Sequence, residues 1–121
     1  MASRTSTPLT HPDASALDLF QVMASLTDPV RLSIVVQLAG RSEAVPCTDF
    51  DLPVTKSAGT RHFRVLRETG VIRQYDAGVR RMSRLRRDDL DARFPGLLAL
   101  VLQEAVHSPN TSPTNSERSS A

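Results

Sequence analysis

Cysteine, tryptophan and long apolar runs are what this chain lacks. Of its 121 residues one is Cys, none is Trp and one is Tyr. The single thiol, Cys47, excludes an intramolecular disulfide and any chelating Cys pair within one chain. With so few aromatic rings, the core has to be mostly aliphatic. No stretch approaches the roughly 20 apolar residues of a membrane span. Residues 1–13 also lack the apolar run after a basic start that marks a secretory signal. The expectation is a soluble, cytoplasmic protein with no membrane partner. Catalytic groupings are missing as well: no Ser-His-Asp set, no carboxylate pair in an apolar setting and no Gly-rich phosphate loop, so an enzyme is not expected and no cofactor is implied.

Positive charge is present but confined. Residues 1–55 hold three Arg against six acids, residues 56–87 hold one Lys and nine Arg against two acids, and residues 88–121 hold two Arg against five acids. These segments carry −3, +8 and −3, although the whole chain is only +2. A polyanion is the natural partner of the middle segment, and a merely solvated charged face is the competing reading.

The basic segment begins with a helix that is bounded by its own residues. Wound at 3.6 residues per turn, Gly59, Phe63, Leu66 and Gly70 form a narrow inner stripe flanked by Ala58 and Val65. Ser57, Thr60, Arg61 and Arg64 fall on the opposite stripe, where hydroxyls and guanidiniums suit phosphates and base edges. Thr55 can cap the first turn, and Gly70 can end the last. Val71–Tyr75 and Val79–Leu85 then read as two short strands around an Asp76-Ala77-Gly78 turn. Helix followed by basic hairpin is the pattern of a winged helix.

The remaining elements follow from periodicity and caps. Residues 1–13 and 108–121, rich in Ser, Thr and Pro, are expected to be disordered tails around one domain at 14–107. Ala14–Leu26 reads as a helix with two apolar rows, Leu19, Val22, Met23 and Leu26 beside Ala16, Phe20 and Ala24. Asp28-Pro29 starts a second, almost wholly apolar helix that runs to Gly40 and is expected to be central. A short helical turn within Thr48–Leu52, bracketed by Pro46 and Pro53, would serve as the first helix of a helix-turn-helix. Arg87–Arg93 reads as a brief turn or helix around Leu90, and Pro95 opens a last helix that is apolar over most of its circumference. The first and last helices together are expected to form a dimer interface. The fold class is therefore mainly α with a small β-hairpin, a winged helix-turn-helix dimerising through its end helices.

Two stretches resemble the ArsR family of bacterial winged-helix repressors. Leu26-Thr27-Asp28-Pro29-Val30-Arg31-Leu32-Ser33-Ile34-Val35 is similar to that family's helix-opening signature. Lys56-Ser57 with Arg61-His62-Phe63-Arg64-Val65-Leu66-Arg67-Glu68-Thr69-Gly70-Val71-Ile72 resembles its recognition-helix signature, and Gly78 before Arg80 and Arg81 fits its wing. The resemblance spans roughly Leu17–Leu102 and implies a homodimer that binds double-stranded operator DNA and releases it when an inducer arrives. It does not carry the family's metal sites over well. One needs a Cys-x-Cys pair where only Cys47 stands. In the other register the chain has Asp91, Glu104 and His107, but Arg93 puts a cation in place of a ligand and Pro95-Gly96 interrupts the helix. A solvated helix end is the competing reading there.

The residues expected to contact DNA are Lys56, Ser57, Thr60, Arg61, His62, Arg64, Arg80 and Arg81. Ser57, Thr60 and Arg61 suit base edges, Arg61 through two parallel bonds to guanine. Lys56 and Arg64 suit phosphates, and Arg80 or Arg81 the phosphates or the minor groove. His62 lies between the two faces of its helix, so a packed histidine competes with a DNA contact. Arg31 is open between a phosphate contact and an internal ion pair, and Cys47 between a small buried hydrophobe and a redox-active thiolate. The alternative function is a winged-helix module that binds another protein through the same helix.

Overall fold

The computed structural model describes residues 9–107. Five helices, α1 (Leu19–Leu26), α2 (Pro29–Ala39), α3 (Lys56–Glu68), α4 (Arg87–Arg93) and α5 (Leu97–Ala105), accompany three short strands, β1 (Val45–Pro46), β2 (Ile72–Ala77) and β3 (Arg80–Leu85). The strands form one antiparallel sheet in the order β1-β3-β2. The fold is thus mainly helical with a small sheet, as expected, but the sheet has three strands rather than the two of a simple hairpin. No single helix among the described residues is long and apolar enough to cross a membrane.

Local chemistry sets most boundaries. Asp28 accepts from the backbone N–H of Val30 and Arg31 at 2.9 and 3.0 Å and so caps α2, with Pro29 in the first helical position, where its missing donor costs nothing. Thr55 caps α3 in the same way, its hydroxyl accepting from Ala58. At the far end of α3 the chain turns at Gly70, whose φ of +89° is disfavoured for any residue with a side chain. A Cβ there would also lie 2.1 Å from a methyl of Leu17, so glycine is required twice over.

Three expectations are corrected. The first helix does not run unbroken from Ala14: a 3-10 turn at Ala14–Ala16 gives way at Leu17, and Asp18 restarts the chain as the cap of α1, accepting from Phe20 and Gln21. The expected helical turn at Thr48–Leu52 is only a 3-10 turn at Cys47–Asp49, preceded by the unforeseen β1. Pro46 is tolerated in β1 because that strand lies at the sheet edge. The segment's backbone is held by Gln37 of α2, whose amide pairs with both the N–H and the C=O of Asp51. Finally, α5 opens at Leu97 rather than at Pro95, because Pro95 and Gly96 make the turn from α4.

The expected N-terminal tail also needs a new boundary. Residues 1–8 and all of 108–121 lie outside the described residues. His11 and Pro12, however, are docked: His11 Nε2 accepts from the N–H of Gln74 on the open edge of β2 at 2.9 Å, and the Pro12 carbonyl accepts from Arg86 at 2.8 Å. Arg86 is buried and holds Asp89 through both Nε and Nη2 at 2.9 Å, tying this segment to the start of α4.

One core joins these parts. Val22 and Leu26 of α1, Ile34, Val35 and Leu38 of α2, Phe63 and Leu66 of α3, and Leu98 of α5 pack with Val45, Ile72 and Leu90. The core is aliphatic but for Phe63, which meets Phe50 edge-on at 5.0 Å. The first apolar row of α1 is buried at Val22 and Leu26 but opens to solvent at Met23, 42% exposed, and in the second row Phe20 is 75% exposed. Leu100 on α5 and Val106 just after it are exposed as well.

Candidate nucleic-acid interface

Packing of Gly59, Phe63 and Leu66 into the core decides what α3 shows to solvent. Lys56, Ser57, Thr60, Arg61 and Arg64 are all exposed. They occupy one outward face, as the 3.6-residue period requires. The Thr60 hydroxyl donates back to the Lys56 carbonyl at 3.0 Å, which leaves its lone pairs outward. At 13 residues the helix is about 20 Å long, and its bare outward face matches a groove about 12 Å wide.

Across from α3 stands the hairpin of β2 and β3. Its register runs from Ile72 opposite Leu85 to Ala77 opposite Arg80. The loop is therefore Gly78-Val79, two residues rather than the three expected, with Gly78 at φ +64°, a left-handed first loop position of the kind tight hairpins fill with glycine. Val79 at the tip is fully exposed. Arg80 is exposed beside it, whereas Arg81 donates to Asp76 at 2.6 Å on the side facing α3. A groove of about 960 Å³ separates helix and hairpin, lined among others by Lys56, Arg64, Arg67, Arg80 and Arg81, with Asp76 as its one acid.

A buried polar chain at the floor of this groove fixes the helix against the hairpin. Arg67 of α3 donates through Nη1 to Gln74 Oε1 of β2 at 2.7 Å. Gln74 is 3% exposed, and its amide donates to Ser83 of β3 at 3.0 Å and to Cys47 Sγ at 3.5 Å. The Cys47 thiol and Ser83 hydroxyl also meet at 3.4 Å. Arg67 Nε is buried with no hydrogen-bond partner among the described residues. Burial, with Arg81 nearby, pulls the Arg67 pKa below the ordinary arginine value, yet guanidinium remains a cation in any protein. Burial pushes the Cys47 thiol up, only partly offset by the bonds from Ser83 and Gln74. A protonated, half-buried thiol is a poor nucleophile, which fits the small-hydrophobe reading rather than a reactive thiolate.

One expected contact, His62, sits elsewhere, and so does Arg31, which the sequence leaves open. His62 is turned from the outward face toward the start of α2, where its Nδ1 lies 3.2 Å from Arg31 Nη1 and 3.7 Å from Asp28. Arg31 is always charged and always a donor, so in the shorter contact it is Nδ1 that accepts. Arg31 itself is internal, donating through Nε to the Ser25 carbonyl at 2.8 Å, so the phosphate contact considered for it is not supported. Asp91, Glu104 and His107 are exposed on α4, on α5 and beyond its end. Among the described residues no three His, Cys, Asp or Glu side chains gather closely enough to hold a metal ion.

Sequence reasoning missed the Arg67–Gln74 link, although a signal for it exists. In a strand of period two, Gln74 shares a face with Ile72, and a polar residue on the buried face needs partners. No family model matches the chain, and no curated protein sequence matches it either.

Proposed function

We propose that this chain is a dimeric, sequence-specific DNA-binding transcriptional regulator of the winged-helix class, a repressor of the ArsR kind. The observation that carries the reading is one face: Ser57, Thr60, Arg61 and Arg64 exposed on a capped helix, beside an arginine-bearing hairpin and across a basic groove. Arg61 reads guanine, Ser57 and Thr60 touch neighbouring base edges, and Lys56, Arg64 and Arg80 hold phosphates. His62 positions α3 against α2 instead of touching DNA. Exposed Phe20, Met23, Leu100 and Val106 support association of two copies through α1 and α5. Such a pair would present two α3 helices to half-sites about one DNA turn apart. Release by an inducer rests on the family resemblance alone. A protein-binding role fits less well, because the exposed residues of α3 include no apolar anchor.

The test is selection of duplexes from a random-sequence pool, followed by titration of the selected duplex at several salt concentrations. Wild-type protein enriches one motif and binds it with a steep salt dependence. Arg61→Ala keeps the thermal midpoint but loses about 1–3 kcal/mol of affinity, with specificity relaxed at one position. Failure to enrich any sequence, or equal binding by the variant, overturns the reading.

A further inference from the structure

The hairpin has a second face, and it is also basic. Alternation along β2 and β3 turns Ile72, Gln74 and Ser83 inward and Arg73, Tyr75 and Arg84 outward, away from α3. The register sets Arg73 directly opposite Arg84. Like charges directly opposed on a sheet destabilise it, so the pair costs the fold something. Arg73 lies 3.7 Å from Asp89, but that same carboxylate oxygen is already held by buried Arg86 at 2.9 Å. Neither Arg84 nor Arg41 has an ion-pair partner among the described residues. Both line a basin of about 720 Å³ at the foot of this face, together with Arg73 and Arg87, and with Glu43 and Asp88 as further acids. Arg87 is anchored there, donating to the Ala39 carbonyl at 3.0 Å.

We propose that this outer face of the hairpin, centred on Arg73 and Arg84, is a second DNA-contacting surface that holds the phosphate backbone of duplex flanking the segment read by α3. The inference rests on the DNA-binding reading above and extends the footprint that reading requires. Continuity is the argument for DNA over an acidic protein. Arg80 near the tip joins the outer row to the groove beside α3, so one continuous polyanion can satisfy both sides. Arg80 and Arg84 are four residues apart on one strand, about 13 Å. That spans about four phosphates of one strand along a duplex axis. Exposed Tyr75 between the arginines adds a polar hydroxyl and a flat ring without forming an apolar docking site.

The test compares two duplexes, the selected sequence trimmed to its core and the same core extended by flanking sequence on both sides. Each is titrated with the full-length protein and with an Arg73→Ser, Arg84→Ser double variant. Wild type binds the extended duplex several-fold more tightly than the core. The variant binds the core as wild type does, loses the gain from the flanks, and on the extended duplex its salt slope falls by about 0.9 for each phosphate released. Its thermal midpoint is equal to wild type or higher, because the opposed charges are gone. Absence of a flank gain in wild type, persistence of it in the variant, or equal weakening on both duplexes overturns the inference while leaving the α3 contact standing. Competition by polyglutamate against wild type alone, with flanks without effect, assigns the face to an acidic protein segment and overturns it too. If no duplex is selected at all, the DNA reading fails and this inference fails with it.

Discussion

Helix α2 opens on Asp28 and helix α3 on Thr55, each a side-chain oxygen accepting from the first turn, and the two differ by only two residues in length. Beyond the cap they diverge. No residue of α2 after Pro29 is exposed, and Ile34, Val35 and Leu38 are fully or almost fully buried. Along α3 only Gly59, Phe63 and Leu66 are buried, and six of its thirteen residues are exposed. Burial of apolar area drives folding and long polar side chains on an open face contribute little to it. The molecule therefore keeps its stability in α2 and leaves on α3 the exposed face proposed for recognition, and substitutions should separate the two.

The sharpest separation is Ile34→Ala against Arg61→Ala. Ile34 has no solvent exposure and belongs to the buried core, so truncation should cost about 2–5 kcal/mol in a denaturant titration. Arg61 is exposed and should leave the same titration within about 0.5 kcal/mol of wild type. If Ile34→Ala left stability unchanged, α2 would not be the centre of the core. If Arg61→Ala destabilised strongly, the outward face of α3 would be structural and the comparison would fail.

How much of this contrast is legible in the sequence depends on how local its causes are. Asp28-Pro29, Thr55 and Gly70 act within one turn of chain, so the limits of α2 and α3 can be read directly. The buried stripe of α3 follows from spacing alone. What cannot be read this way depends on partners distant in sequence. β1 exists because β3 pairs with Val45 and Pro46, more than thirty residues away. His62 turns inward because Arg31 and Asp28 wait there, and His11 leaves the expected tail because β2 offers an unpaired edge N–H. The arginine pair on the outer face requires the hairpin register, which a loop of two rather than three residues sets.

A second, smaller effect tests the periphery. His11 can accept from Gln74 only while its ring is neutral, and burial together with Arg73, Arg67 and Arg86 lowers its pKa from the ordinary 6.5. The unfolded chain therefore takes up the proton first as pH falls. Stability from this contact is complete above about 6.5 and is lost as pH drops through the lower folded value. His11→Ala should cost about 0.5–1.5 kcal/mol at pH 7.5, the net worth of one hydrogen bond. The gap between variant and wild type should close on acidification. A constant gap from pH 7.5 to 4.5 would mean that His11 contributes by packing and not through its lone pair.

The smallest effect bears most directly on why α3 differs from α2. Glycine inside a helix costs about 1 kcal/mol relative to alanine, and α3 carries Gly59 in its buried stripe while α2 has none before its cap. Close approach of a neighbour would explain it, but a Cβ at Gly59 would meet only Leu52 Cδ1, at 3.7 Å, an ordinary contact with a flexible side chain. The added methyl would point at that leucine and away from Ser57, Thr60, Arg61 and Arg64. Gly59→Ala should therefore raise stability by about 0.5–1 kcal/mol. DNA affinity should stay unchanged, because the reading face and its charges are not touched. A loss of stability would show that the Phe50–Leu52 segment cannot give way and that the glycine serves packing. Greater stability with weaker DNA binding would show that α3 must flex to seat in its groove, so that the weak helix, and not only its exposed arginines, belongs to the recognition apparatus.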